Sequence, residues 1–161
     1  MHPDAAKAED VEARTLSGQQ QAPVLAIVSG SLDLPWHLAM WSESTHKPIV
    51  ITDRAAAADR LAIAREHADL LLLDEVTPQT IVHALTTRGL RRIVCEGGPR
   101  LLNDFVRAGA IDELDITISP MMAGSAGSPA TALLPASIPF HLSTVLTQQS
   151  FLMARYLKER P

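Results

Sequence analysis

Four short apolar runs organise the first two thirds of this chain. They are Val24-Leu25-Ala26-Ile27-Val28, Pro48-Ile49-Val50-Ile51-Thr52-Asp53, Leu70-Leu71-Leu72-Leu73 and Arg92-Ile93-Val94-Cys95-Glu96. Each is nearly continuous rather than alternating, which is the pattern of a strand covered on both faces. Helical stretches follow the last three. Arg54 to Ala68 is Ala-rich. The next helix opens at Thr77 with Pro78 in its first turn, and Ile81, Val82 and Leu85 give it an apolar face. Pro99 to Arg107 carries Leu101, Leu102, Phe105 and Val106 at helical spacing. Gly89 and Gly109 supply the stops. The order β-β-α-β-α-β-α predicts an α/β fold, a mostly parallel sheet flanked by helices. Beyond residue 110 the pattern changes. Glu113 to Ser119 alternates like a half-exposed strand, and His141 to Thr147 with Ser150 to Lys158 read as an antiparallel edge hairpin. Residues 1–22 read as a polar arm or linker and residues 23–161 as one domain. Trp36 and Trp41 fall in an expected loop from Pro35 to Lys47, a second loop runs from Gly124 to Pro139, and Met121 and Met122 are expected in the core.

Composition narrows the function classes. The chain has 161 residues, 47% of them hydrophobic, and a net charge of −4. That balance fits a folded domain and argues against a nucleic-acid or membrane-surface partner. No apolar run approaches a membrane span, and the polar N-terminus does not read as a signal peptide. A cytoplasmic protein is expected. The single cysteine, Cys95, forms no internal disulfide and reads as a packed thiol. The six histidines show no metal-ligand spacing, so no metal is expected. His67 and His83 read as solvated or capping. There is no Gly-x-Gly-x-x-Gly, no P-loop and no Gly-x-Ser-x-Gly elbow.

In an open α/β sheet, ligands bind at the carboxyl ends of the strands. The most telling end is Glu96-Gly97-Gly98-Pro99-Arg100-Leu101-Leu102-Asn103. A buried strand is expected to turn there into a helix. The glycines remove Cβ atoms where a ligand approaches, and Pro99 suits the first helical position. The free N–H groups and the helix dipole favour a phosphate. Ser29-Gly30-Ser31, Thr52-Asp53 and Asp74-Glu75 close the other strands, where such residues also serve as ordinary turn formers. Arg54 reads either as a contact for a 2′-phosphate or as a surface helix residue. Asp112, Glu113 and Asp115 read as charged edge protection.

The run Cys95-Glu96-Gly97-Gly98-Pro99-Arg100-Leu101-Leu102-Asn103 is followed by Ala108-Gly109-Ala110-Ile111-Asp112-Glu113-Leu114 and then Ile118-Ser119-Pro120-Met121-Met122-Ala123-Gly124. With this spacing it resembles the RibD C-terminal family, the reductase domain of bacterial riboflavin biosynthesis, which has a dihydrofolate-reductase-like fold. The resemblance runs from about Pro23 to the end. It implies NADPH as cofactor. The implied reaction reduces 5-amino-6-(5-phosphoribosylamino)uracil to the ribitylamino product, with a small-molecule substrate and a homodimer formed through the C-terminal strands. By motif position it implies substrate contact by Glu96. It also implies cofactor contacts by Gly97, Gly98, Pro99, Arg100, Leu101, Leu102 and Asn103, by Ser29, and by Thr52 and Asp53 on the adenosine side. No general acid is assigned. The family's opening strand, with its apolar-Ser-Leu-Asp-Gly motif, and the helix and strand after it have no counterpart here. The domain therefore reads as N-terminally truncated, and a central strand is expected to be missing. Either a partner chain fills that gap or the chain is a remnant. Two other functions stay open: a non-catalytic nucleotide-binding or assembly module, and a dihydrofolate-type reductase on the same scaffold.

Overall fold

A computed structural model describes residues 8–121 and 137–159. The described chain forms two compact units, one up to Arg88 and one from Gly89.

The first unit begins with helix α1 (Ala8–Leu16), inside the stretch read as a polar arm. Strands β1 (Ala26–Val28), β2 (Ile49–Asp53) and β3 (Asp69–Leu73) then form a parallel sheet in the order β1-β2-β3. The one-turn helix α2 (Met40–Glu43) lies between β1 and β2, within the expected loop. Helix α3 (Ala58–His67) connects β2 to β3, and α4 (Pro78–Thr87) follows β3. The central strand is the most deeply buried. Val50, Ile51 and Thr52 have no exposed surface, because side chains alternate to two covered faces. Val50 packs with Leu61, Ala64 and Ala68 from α3 and its end, and with Leu32 and Trp41 from the β1–β2 connection. Each such aliphatic burial is worth about 1.5–3 kcal/mol. Trp41 donates its indole N–H to the Pro35 carbonyl at 3.0 Å. Trp36 stacks on His67, with centroids 5.2 Å apart. His67 is thus an aromatic contact rather than a solvated or capping residue, joined to Trp36 by tertiary packing. Helix α4 starts as its sequence predicts. The Thr77 hydroxyl accepts from the Thr80 N–H at 3.2 Å and the Thr80 hydroxyl accepts from the Thr77 N–H at 2.9 Å, a reciprocal cap. After it, Gly89 takes a φ of +84°.

The second unit contains helix α5 (Pro99–Arg107) and strands β4 (Glu113–Ile118), β5 (Phe140–Gln148) and β6 (Phe151–Lys158). The strands form an antiparallel sheet in the order β4-β6-β5. The β5–β6 turn consists of Gln149 and Ser150, both at positive φ (48° and 67°). That conformation matches the twist of a two-residue hairpin. Register places Leu114, Ile116 and Ile118 on one face with Leu142, Val145 and Leu152. All six are exposed among the described residues. Arg155 lies on the opposite face, between Glu113 at 3.1 Å and Asp115 at 3.3 Å, so these acids are paired across the edge.

Three expectations need correction. Arg92 to Glu96 forms no strand. Its apolar side chains face solvent, Val94 being 80% exposed, because no neighbouring strand pairs with it among the described residues. Cys95 is half-buried in that irregular segment, not packed in a strand. Met121 is 76% exposed rather than in the core. Met122 and nearly all of the Gly124–Pro139 loop lie outside the described residues.

Candidate functional site

The second unit places Glu96, Gly97, Gly98, Pro99, Arg100, Leu101, Leu102 and Asn103 together at the start of α5. Gly98 is the N-cap, with φ −55° and ψ 167°, and Pro99 opens the helix. The Leu102 N–H returns to the Gly98 carbonyl at 3.2 Å. The amides of Gly98, Arg100 and Leu101 find no acceptor among the described residues. The two glycines differ in kind. A Cβ on Gly97 would lie 2.8 Å from Leu101 Cδ2, a contact that a shift of the partly buried leucine side chain would relieve. A Cβ on Gly98 would meet no heavy atom within 4 Å. Nothing inside the protein demands glycine there, and the space beside its backbone is open. Free amides, the positive end of a helix dipole and an open glycine together suit a phosphate. Glu96 is exposed just before this turn. A carboxylate there accepts hydrogen bonds from hydroxyl or N–H donors and repels phosphate.

The first unit brings Ser29, Thr52 and Asp53 together at the carboxyl ends of β1 and β2. The Ser29 N–H extends the ladder to the Ile51 carbonyl at 3.0 Å. Its hydroxyl accepts from the Leu32 N–H at 3.1 Å. That turn holds buried Leu32 at a φ of 55°, a left-handed conformation that costs a leucine about 1–2 kcal/mol. Asp53 accepts from the Ala55 N–H at 2.6 Å, so part of its carboxylate is committed to the turn into α3. Thr52 differs: it is fully buried, and its hydroxyl has no partner. A buried hydroxyl without a hydrogen bond is costly.

Sequence reasoning missed how Arg54 and Asp74 meet. The Arg54 Nε donates to Asp74 at 2.7 Å, and its Nη2 donates to the Leu72 carbonyl at 3.3 Å. The available signal was that each residue directly follows an apolar run, so adjacent parallel strands bring them side by side. No group of residues suited to hold a metal occurs among the described residues. No helix there is long and apolar enough to cross a membrane.

The parallel strands of the first unit end in Ser, Thr and Asp, and a helix of the second unit opens at a glycine; each is a feature of an α/β protein. The chain belongs to the RibD C-terminal domain family, whose pattern matches residues 3–149. It is 24% identical over 108 residues to the riboflavin biosynthesis protein RibD of Synechocystis sp., covering 66% of this chain and 29% of that protein. It is 23% identical over 124 residues to the 2,5-diamino-6-ribosylamino-4(3H)-pyrimidinone 5′-phosphate reductase of Archaeoglobus fulgidus, covering 76% of this chain and 56% of that protein. The chain thus spans less than a third of the first relative's length and little more than half of the second's. A pyrimidine reductase-like protein from Corynebacterium diphtheriae shares the fold with a TM-score of 0.80 at 22% identity. The match covers 99% of this chain and 70% of that one. The bifunctional deaminase and reductase of Thermotoga maritima superposes with a TM-score of 0.65 at 19% identity, over 85% of this chain and 38% of that one. The fold is dihydrofolate-reductase-like.

Proposed function

We propose that this chain carries an NADPH-dependent reductase activity that converts 5-amino-6-(5-phosphoribosylamino)uracil to its ribitylamino product in riboflavin biosynthesis. The observation that carries this reading is the start of α5. The Gly98, Arg100 and Leu101 amides are unsatisfied, Gly98 leaves their approach open, and Glu96 precedes them. In a member of this family, amides so arranged suit the cofactor's diphosphate, with Gly97, Pro99, Leu102 and Asn103 shaping the turn. Glu96 accepts hydrogen bonds from the ribose hydroxyls or amine of the substrate. Ser29, Thr52 and Asp53 contribute on the cofactor side. When bound, the nicotinamide supplies the hydride, and the protein's task is orientation. We assign no general acid. The exposed aliphatic face of β4-β6-β5 supports a homodimer through the C-terminal strands, since large apolar patches mark association sites. We place the protein in the cytoplasm, acting on a small molecule and not on nucleic acid.

The test is a fluorescence titration with NADPH, followed by turnover of the deaminated riboflavin precursor. Saturable binding with consumption of both reactants is expected. Absence of NADPH binding would end this reading. A second reading is favoured by the unpaired, exposed Ile93-Val94 stretch: a nucleotide-binding or assembly module that binds NADPH without turnover. Binding without product formation is its signature.

A further inference from the structure

Arg54 is the first residue beyond β2, and its backbone N–H still donates to the Leu73 carbonyl at 2.8 Å. Its side chain crosses to the end of β3. There the Nε meets Asp74 at 2.7 Å and Nη2 reaches the Leu72 carbonyl at 3.3 Å. These contacts leave most of the guanidinium donors unused. Arg54 and Asp74 border a cleft of about 630 Å³, together with Leu72, Leu73, Gln79 and His83. That volume suits a small-molecule group, and the cleft lies at the carboxyl ends of a parallel sheet. The pair is exposed, at 62% for Arg54 and 83% for Asp74, so solvent keeps the bond weak and exchangeable.

We propose that Arg54 and Asp74 form a cofactor selector, in which Asp74 competes with an adenosine 2′-phosphate for the Arg54 guanidinium. The inference rests on the reading of the chain as a nicotinamide-dinucleotide reductase. A phosphate monoester carries more charge than a carboxylate and takes a guanidinium in two parallel hydrogen bonds. It therefore displaces Asp74 from Arg54. Asp74 remains beside the bound phosphate and repels it, which caps the preference for the phosphorylated cofactor. For a cofactor with a free 2′-hydroxyl, the same carboxylate is an acceptor. Asp53 plays no equal part, because its carboxylate already holds the Ala55 amide. The side chain facing Arg54 thus sets how sharply the two cofactors are told apart.

The probes are adenosine 2′,5′-bisphosphate and adenosine 5′-monophosphate, titrated calorimetrically against the full chain and against Arg54→Gln and Asp74→Asn. Both sites are exposed, and matching thermal melts confirm that the variants fold. The expected pattern has three parts. The wild-type chain prefers the bisphosphate. R54Q loses about tenfold or more in affinity for the bisphosphate while the monophosphate changes less than about threefold. D74N gains about threefold or more for the bisphosphate alone. Equal binding of the two probes by the wild-type chain, or a preference that survives in R54Q, overturns the selector. NADPH and NADH are titrated in parallel. If NADPH binds while the fragment pattern fails, the selector is wrong and the reductase reading stands. If neither dinucleotide binds, both fall.

Discussion

Gly98→Asp separates a structural role from a ligand role by giving them opposite signs. Gly98 is the N-cap of α5 at ψ 167°, and a side chain added there meets no heavy atom within 4 Å. Aspartate is among the favoured N-cap residues, a few tenths of a kcal/mol better than glycine. Its charge lies at the positive end of the helix dipole, which adds about 0.3–1 kcal/mol. Replacing glycine at an unstrained φ also removes unfolded-state freedom worth about 0.4–1 kcal/mol. The free protein is therefore expected to gain roughly 1–2 kcal/mol, read as a higher urea midpoint at constant slope. For a bound diphosphate the sign reverses. Two unit charges about 5 Å apart repel by about 3 kcal/mol at an effective dielectric constant near 20. The turn is exposed, so screening lowers that figure, and a loss of NADPH affinity of at least about tenfold is expected, about 1.4 kcal/mol. The assay is fluorescence titration of NADPH beside urea denaturation of the same preparations. A stabilised variant that binds NADPH as tightly as the parent would refute the phosphate assignment. A destabilised variant would instead show that the N-cap geometry had been misjudged.

Other consequences follow from single atoms. Thr52→Val replaces a buried, unpartnered hydroxyl with a methyl, so stability should rise by about 1 kcal/mol. If Thr52 serves the cofactor, NADPH binding should weaken in the same variant, and unchanged binding would remove Thr52 from the site. Glu96→Gln should leave NADPH affinity within about twofold while turnover of the pyrimidine substrate falls at least about tenfold, and unimpaired turnover would dismiss its substrate role. Ser150→Gly removes a left-handed serine from the β5–β6 turn and should stabilise the chain by about 1 kcal/mol. A lower denaturation midpoint would contradict the turn assignment.

Much of this fold was legible because its determinants are local. Thr77 and Pro78 mark the start of α4, and Gly98 with Pro99 marks the start of α5. The unbroken apolar run Ile49 to Ile51 reads as a buried strand, and it is the most buried in the sheet; its central place is seen only in the structure. The C-terminal strands showed their antiparallel character through alternation. What was not legible depends on neighbours. Arg92 to Glu96 has the composition of a core strand, but a ladder needs a partner, and none pairs with it among the described residues. The stack of Trp36 on His67 and the bond from Arg54 to Asp74 each join residues far apart in sequence. No periodicity encodes those meetings. The candidate site divides in the same way. The glycine-opened turn could be read from composition, whereas the contact of Gly97 with Leu101 and the open space beside Gly98 could not. Only the structure shows that the buried Thr52 hydroxyl is left without a partner.

The central claim is that peptide amides at the start of α5 bind the cofactor's diphosphate, and amide NMR during an NADPH titration tests it most directly. The Gly98, Arg100 and Leu101 resonances should shift together and saturate with the affinity seen by fluorescence. Saturable binding that leaves those three amides unmoved would contradict it.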